Sequence, residues 1–353
     1  MPVAISIEDF LKEVADGKQI ILDTRSPAEH ARAHIPGALS FPLLNNEERV
    51  IIGTTYKQEG REAAVIKGFE LVGPKFADFV KKAIELAPAK EVFVYCWRGG
   101  LRSNIMAWVL NTAGFKVTLL KGGYKTFRHW ALEQFEQKKK IVVVGGKTGS
   151  GKTDLLLEIE KSGEQIIDLE AIAQHKGSAF GSLGKPEQPS TEHFENLLAL
   201  QWNLLNANKA VWMENESFKI GTCAIPLALF EQLRSAPVID ITLAYELRKK
   251  RILSEYGHFD KKLLSEKTEK IKKRLGGLRL KNALAFLEEG ELGNWCDLML
   301  EYYDKTYKHS DSLRDENKTS RIAFENDDMK ENAKIILKYF YESKQTAINT
   351  NNK

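Results

Sequence analysis

Eight residues constrain this chain most: Gly146-Lys147-Thr148-Gly149-Ser150-Gly151-Lys152-Thr153. They follow the spacing glycine, any four residues, Gly-Lys-Thr. The apolar run Ile141-Val142-Val143-Val144 precedes them, and Asp154-Leu155-Leu156-Leu157-Glu158-Ile159 follows with helical patterning. A strand that feeds a glycine-rich turn and then a helix is the context that makes this spacing a phosphate cradle. The glycines let successive backbone N–H groups face phosphate oxygens, and the helix N-terminus adds partial positive charge. Lys152 is placed to reach the terminal phosphates and Thr153 to hold a magnesium ion. The phosphate-binding set is therefore Gly146, Gly149, Gly151, Lys152 and Thr153. Asp168, after Ile166-Ile167, and Glu214, after Val211-Trp212-Met213, are strand-end carboxylates suited to magnesium or to a nucleophile. Helix capping is the plain alternative for each.

With 353 residues the chain has room for about two domains, and 43% hydrophobic content supplies a core for each. Residues 1–130 alternate short apolar runs with helical patterns. Ile20-Ile21-Leu22, Val92-Phe93-Val94-Tyr95 and Val117-Thr118-Leu119-Leu120 each end in a polar or glycine turn, as buried parallel strands do. Amphipathic stretches lie between them, at Pro74 to Leu86 and Ser103 to Asn111. This alternation implies an α/β sheet. Residues 131–140, ending in Lys138-Lys139-Lys140, read as a linker. A second α/β domain is expected over 141–345, helical and strongly charged from 246, with a polar tail over 346–353.

Cys96 directly follows the run Val92 to Tyr95, and Trp97-Arg98-Gly99-Gly100-Leu101-Arg102-Ser103 leads from it into a helical pattern. A thiol there faces loop amides and a helix N-terminus, which favour the nucleophilic thiolate. Gly99 and Gly100 let the loop curl so that its amides converge on one anion. Arg98 and Arg102 add formal positive charge. The candidate catalytic set is Cys96, Arg98, Gly99, Gly100 and Arg102. Two chemistries share this design: transfer of sulfur or selenium through a cysteine, and cleavage of a phosphate ester through one.

The remaining cysteines, Cys223 and Cys296, lie far from Cys96 and have no metal-ligand spacing, so free thiols in a reducing cytosol are expected. The sequence marks no resident metal site and no tightly bound cofactor. The N-terminal stretch has no unbroken apolar core of the kind a signal peptide carries, and no run reaches the roughly 18 apolar residues a membrane span requires.

Formal net charge is only +4, yet Arg248 to Lys281 holds thirteen Lys or Arg against four acids. Such concentrated charge suits a phosphate backbone, although a solvated helix face is the commoner use. Arg248, Arg251, Lys272, Lys273, Arg274 and Arg279 are the candidate RNA contacts. Tyr245, Tyr256, His258 and Phe259 are interleaved and could stack on unpaired bases.

Asp23-Thr24-Arg25-Ser26-Pro27-Ala28-Glu29-His30 and His34-Ile35-Pro36-Gly37-Ala38 resemble the entrance of a rhodanese domain, and Cys96 to Ser103 resembles its active-site loop. Leu120-Lys121-Gly122-Gly123-Tyr124 resembles its closing turn. Arg102 sits one position further from the cysteine than is usual. Its spacing is also that of a cysteine phosphatase, but Tyr95 stands where such loops usually carry histidine.

The order of the two units, with Gly53 to Gln58, Gly122 to Arg128, Asp168 to Glu170, His175 to Gly181, Gln188 to Ser190, Glu214 to Ser217 and Leu275 to Arg279, resembles the tRNA 2-selenouridine synthases. The resemblance implies an N-terminal rhodanese-like parallel-sheet domain, then a P-loop NTPase-like α/β domain with a basic helical C-terminal portion. It implies a cytoplasmic transferase acting on the wobble uridine of tRNAs that read Lys, Glu and Gln codons. There, selenium from selenophosphate would replace the sulfur of 5-substituted 2-thiouridine, by way of an S-geranyl intermediate made from geranyl diphosphate. The phosphate loop would then hold the geranyl donor's diphosphate, and the Cys96 loop would hold selenophosphate. Cys96 would carry selenium covalently or help expel the thiol. Selenophosphate comes from a supplying enzyme, a candidate partner. The residues alone also admit an ATP-dependent tRNA sulfurtransferase, a cysteine phosphatase fused to a P-loop kinase, and an inert module that docks RNA.

Overall fold

The short apolar runs become the central strands of two parallel sheets. The structure is a computed structural model and describes residues 2–311 and 316–351. The chain divides into two units, Met1–Gln134 with Glu192–Leu200, and Phe135–Thr191 with Gln201–Lys353.

The first unit holds β1 (Val3–Ile5), β2 (Ile21–Asp23), β3 (Leu39–Ser40), β4 (Glu91–Tyr95) and β5 (Lys116–Leu120). They lie in the order β1-β5-β4-β2-β3, all parallel. β4 is central, so Val92 to Tyr95 are buried, which explains their unbroken apolar run. Leu22, Val94, Met106, Leu110 and Phe115 pack into one core beneath the helices Phe76–Leu86 and Leu101–Thr112. The chain reverses its direction across the sheet at β4. In open parallel sheets, sites form at the carboxyl ends of strands at such a point. Cys96 is the next residue.

The second unit holds β6 (Lys140–Gly146), β7 (Gln165–Ile167), β8 (Ala210–Glu214), β11 (Val238–Leu243) and β12 (Thr319–Phe324), in the parallel order β12-β11-β6-β8-β7. A two-residue antiparallel pair, β9 (Lys219–Ile220) and β10 (Cys223–Ala224), stands apart from it. Central β6 leads into the glycine loop and the helix Lys152–Lys161. The helix Met329–Asn351 covers one face, setting Ile336 and Phe340 against Trp212 and Leu156. A second core gathers Phe180, Tyr256, Leu264, Trp295 and Leu300 among the helices of residues 245–311.

Three segments depart from the sequence reading. The helix Gly123–Gln134 takes up the first residues of the expected linker. The region expected to be helical from 246 contains a strand, β12, which pairs with β11 along six residues. The helix Met329–Asn351 includes most of the expected polar tail, and 352–353 lie outside the described residues. The helix Thr191–Leu204 also divides: Glu192–Leu200 belongs with the first unit. Among the described residues, no helix is long and apolar enough to cross a membrane.

Candidate functional site

The Cys96 loop is held by backbone. Tyr124 N donates to the Cys96 carbonyl at 2.8 Å and Lys125 N to the Trp97 carbonyl at 2.9 Å. Gly99 has φ +63°, and a Cβ there would lie 2.9 Å from Gly122 N, so glycine is required at this turn. Cys96 is 3% exposed. Gly100 N–H donates to Sγ at 3.2 Å, and the Ser103 hydroxyl lies 3.2 Å from it. A loop amide and the first turn of the helix Leu101–Thr112 thus converge on the thiol, as the sequence implied.

Behind the loop lies a buried ionic network. Arg25 donates to Asp23 at 2.6 and 3.0 Å and to the Ala33 carbonyl at 2.7 Å, with its guanidinium 3.9 Å from the Tyr124 ring centre. The Tyr95 hydroxyl donates to Asp23 at 2.9 Å and accepts from Ile35 N at 3.2 Å. Burial and then the Asp23 charge push the Tyr95 phenol well up, so it stays a donor. Asp23→Asn would leave Arg25 buried without its counter-charge, a loss worth about 3–5 kcal/mol. Urea unfolding is expected to register that full loss. A change below about 1 kcal/mol would mean that the network carries little stability.

The two candidate arginines differ. Arg98 is exposed on the loop. Arg102 pairs with Glu29 at 2.6 Å. Burial alone would raise the Glu29 carboxyl, but Arg102 holds it below its usual range.

In the second unit the cradle glycines Gly146, Gly149 and Gly151 all have positive φ. Lys152 Nζ donates to the Gly146 carbonyl at 3.0 Å. Ser150 Oγ is buried in the loop and has no hydrogen-bond partner. Three carboxylates converge beside Lys152 and Thr153: Glu170, Glu214 and Glu216 each bring an oxygen within 4.8 Å of the others. Thr153 Oγ1 donates to Glu170 at 3.3 Å. Burial, then the charge of Glu214, pushes Glu170 up to about 9 and Glu216 up to about 8. Glu214 is also raised, chiefly by burial, and its Oε1 is buried without a partner. A Cβ on Gly177 would lie 2.9 Å from Glu216, so the 175–181 segment closes over the cluster at a glycine.

The set suits a divalent cation: hard oxygen donors, one orphaned oxygen, and like charges that only a cation or protons can relieve. Of the two acids expected here, Glu214 joins the cluster. Asp168 instead caps the helix Leu169–Ala173, accepting from Ala171 N at 2.8 Å. Glu170 and Glu216 were given no role by sequence. Each stands two residues beyond an expected acid, and only the fold brings the two together.

The basic segment sorts into inward and outward residues. Arg248 is 4% exposed, donates to the Thr148 carbonyl at 2.9 Å and pairs with Asp304 at 2.5 Å. Arg251 pairs with Asp154 and, at 2.6 Å, with Asp327. Both brace the phosphate loop, so neither presents the free charge expected of an RNA contact. Tyr256 lies in the core and Phe259 packs against it, which removes them as stacking residues. Tyr245 gives its hydroxyl to Asp297 at 2.6 Å. Lys272, Lys273 and Arg274 stand exposed, His258 is exposed, and Arg279 pairs with Glu301 at 3.0 Å.

Comparison with known proteins finds a match for each of the two domains. Residues 139–345 match the family described as the tRNA 2-selenouridine synthase AAA domain, and residues 6–129 match the rhodanese-like domain. Curated relatives named tRNA 2-selenouridine synthase span nearly the whole chain. The one from Pseudomonas fluorescens is 33% identical, covering 91% of this chain and 95% of its own length. That from Bordetella bronchiseptica is 35% identical, covering 88% and 92%. That from Shewanella piezotolerans is 33% identical, covering 93% and 97%.

Proposed function

Because the chain belongs to the tRNA 2-selenouridine synthase family, we propose that it makes 2-selenouridine in tRNA in two steps, one at each site. The observation that supports this most is the presence, in one chain, of a thiol held by a loop amide and a phosphate loop whose lysine faces three carboxylates. As a transferase, it first alkylates the thiocarbonyl sulfur of wobble 5-substituted 2-thiouridine with geranyl diphosphate. The sulfur forms a bond to the geranyl carbon, the C–O bond breaks, and diphosphate leaves. Gly146, Gly149, Gly151 and Lys152 receive that diphosphate through backbone N–H groups and one ammonium.

Thr153, Glu170, Glu214 and Glu216 would hold a magnesium ion there. When bound, it neutralises charge that gathers on the departing diphosphate.

Alkylation turns a poor leaving group into a better one. In the second step, selenium from selenophosphate bonds to C2, the C2–S bond breaks, and geranyl thiol departs. Water then takes the phosphoryl group from selenium as phosphate. The Gly99-Gly100 amides and Arg98 hold the selenophosphate anion, and Cys96 helps expel the geranyl thiol. Lys272, Lys273 and Arg274 contact the tRNA backbone. The substrates are tRNAs that read Lys, Glu and Gln codons, which places the enzyme in the cytoplasm beside the enzyme that supplies selenophosphate.

The cation assignment has a test independent of turnover. The native carboxyls titrate near 8 and 9, against 4.5 when unperturbed, so the native state binds more protons between those limits. Stability of the metal-free protein therefore falls as pH rises through that window. A cation takes the protons' place, so the rise in Tm on adding magnesium is expected to grow from about pH 6 to about pH 9. Glu216→Gln should raise the metal-free Tm at pH 8 and abolish the magnesium response. A magnesium response that is absent, or flat with pH, contradicts the assignment.

A further inference from the structure

The first unit contains a cavity of about 260 Å³ lined by Arg25, Glu29, Arg32, Arg49, Trp97, Arg102 and Glu192. Trp97 follows Cys96 and Arg102 stands in the first turn of the next helix, so the cavity lies along the Cys96 loop, although Cys96 itself does not line it. Its size far exceeds a bare phosphate-type anion and approaches the roughly 300 Å³ at which pockets take organic molecules. Four guanidiniums meet two carboxylates in it, so its lining is net positive.

The charges are not equivalent. Arg25 is buried against Asp23, Arg102 holds Glu29, and Arg32 lies 3.2 Å from Glu192. Arg49 is exposed and, among the described residues, is in no ion pair, while its charge reaches the Glu29 carboxyl. A capping box fixes the start of its helix, Asn46–Gln58: Glu48 N donates to Asn45 at 2.8 Å and Asn45 N to Glu48 at 2.9 Å. Trp97 is 38% exposed and its ring leans on Tyr124, with centroids 5.5 Å apart. It is thus a supported, partly open aromatic face beside an available guanidinium.

We propose that this cavity is the nucleotide subsite of the selenium step: the wobble base, turned out of the anticodon stack, lies on Trp97, and Arg49 holds its phosphate. An aromatic face with a basic group is the chemistry that single-stranded RNA uses. This rests on the reading of the chain as a tRNA-modifying enzyme. It adds that Trp97 and Arg49, rather than the amides around Cys96, place the base.

The test uses the full-length protein and an anticodon stem-loop carrying 5-iodouridine at the wobble position, irradiated and mapped by peptide mass spectrometry. Crosslinking is expected at Trp97. With thiolated tRNA, Trp97→Ala should raise KM for tRNA about tenfold to a hundredfold, the range for loss of one stacked base. Trp97→Phe should restore most of it. Arg49→Ala should flatten the dependence of log affinity on log salt by about 0.7, the value for one phosphate contact in a single strand. Crosslinks confined to other peptides, with KM unchanged in Trp97→Ala and selenouridine still formed, overturn the subsite and leave the proposed function standing. A crosslink at Trp97 in a protein that makes no selenouridine keeps a nucleotide subsite at Trp97 but overturns the function, and with it the subsite's part in a selenium step.

Discussion

Cys96→Ala is expected to lower 2-selenouridine formation by at least about a thousandfold while S-geranyl-2-thiouridine accumulates. Removing a group that acts on the departing thiol costs orders of magnitude where its neighbours cannot substitute for it. Here the neighbours are a loop amide and the Ser103 hydroxyl, 3.2 Å from Sγ, and neither replaces a thiol. The loop itself should persist, because its shape comes from the Tyr124 and Lys125 amide bonds and from Gly99. The accumulation matters as much as the loss, since it separates the selenium step from the alkylation step. Nucleoside mass spectrometry reads both. Normal selenouridine yield from Cys96→Ala would remove Cys96 from the chemistry.

Lys152→Ala is expected to do the reverse. Geranyl transfer should fall by about a hundredfold to a thousandfold, the usual loss when one preorganised charge facing a transition state is removed. Lys152 stands at the start of the helix Lys152–Lys161 and faces Glu170, Glu214 and Glu216. Its removal therefore also takes from those carboxylates a positive charge that favours their ionised form. Supplied with tRNA already geranylated, this variant should still form selenouridine. Unchanged affinity for geranyl diphosphate in Lys152→Ala would remove the diphosphate from this cradle.

Much of this was legible in sequence where chemistry is local. The glycine cradle and the Cys96 loop are each contiguous, and each follows a central strand whose burial on both faces leaves an apolar run. The parts that were not legible are those made by distance or by orientation. β12, Thr-Ser-Arg-Ile-Ala-Phe, lies on the sheet edge half exposed, so no apolar run marks it. Glu170 and Glu216 are brought together by parallel β7 and β8, whose register no local pattern encodes. Charge content announced a basic face but not its direction. Arg248 and Arg251 turn inward to Asp304, Asp154 and Asp327, whereas Lys272 to Arg274 turn outward. Tyr256 shows the same ambiguity for aromatics: interleaving with lysines suggested stacking, and the fold buries it against Phe180.

The most direct measurement is nucleoside mass spectrometry on thiolated tRNA incubated with the protein and geranyl diphosphate, then with selenophosphate added. S-geranyl-2-thiouridine in the first incubation and 2-selenouridine in the second are the expected products. An unmodified nucleoside in both, with the tRNA still bound, contradicts the two-step reading. Product formation that instead requires ATP and a persulfide donor would make the protein a sulfurtransferase.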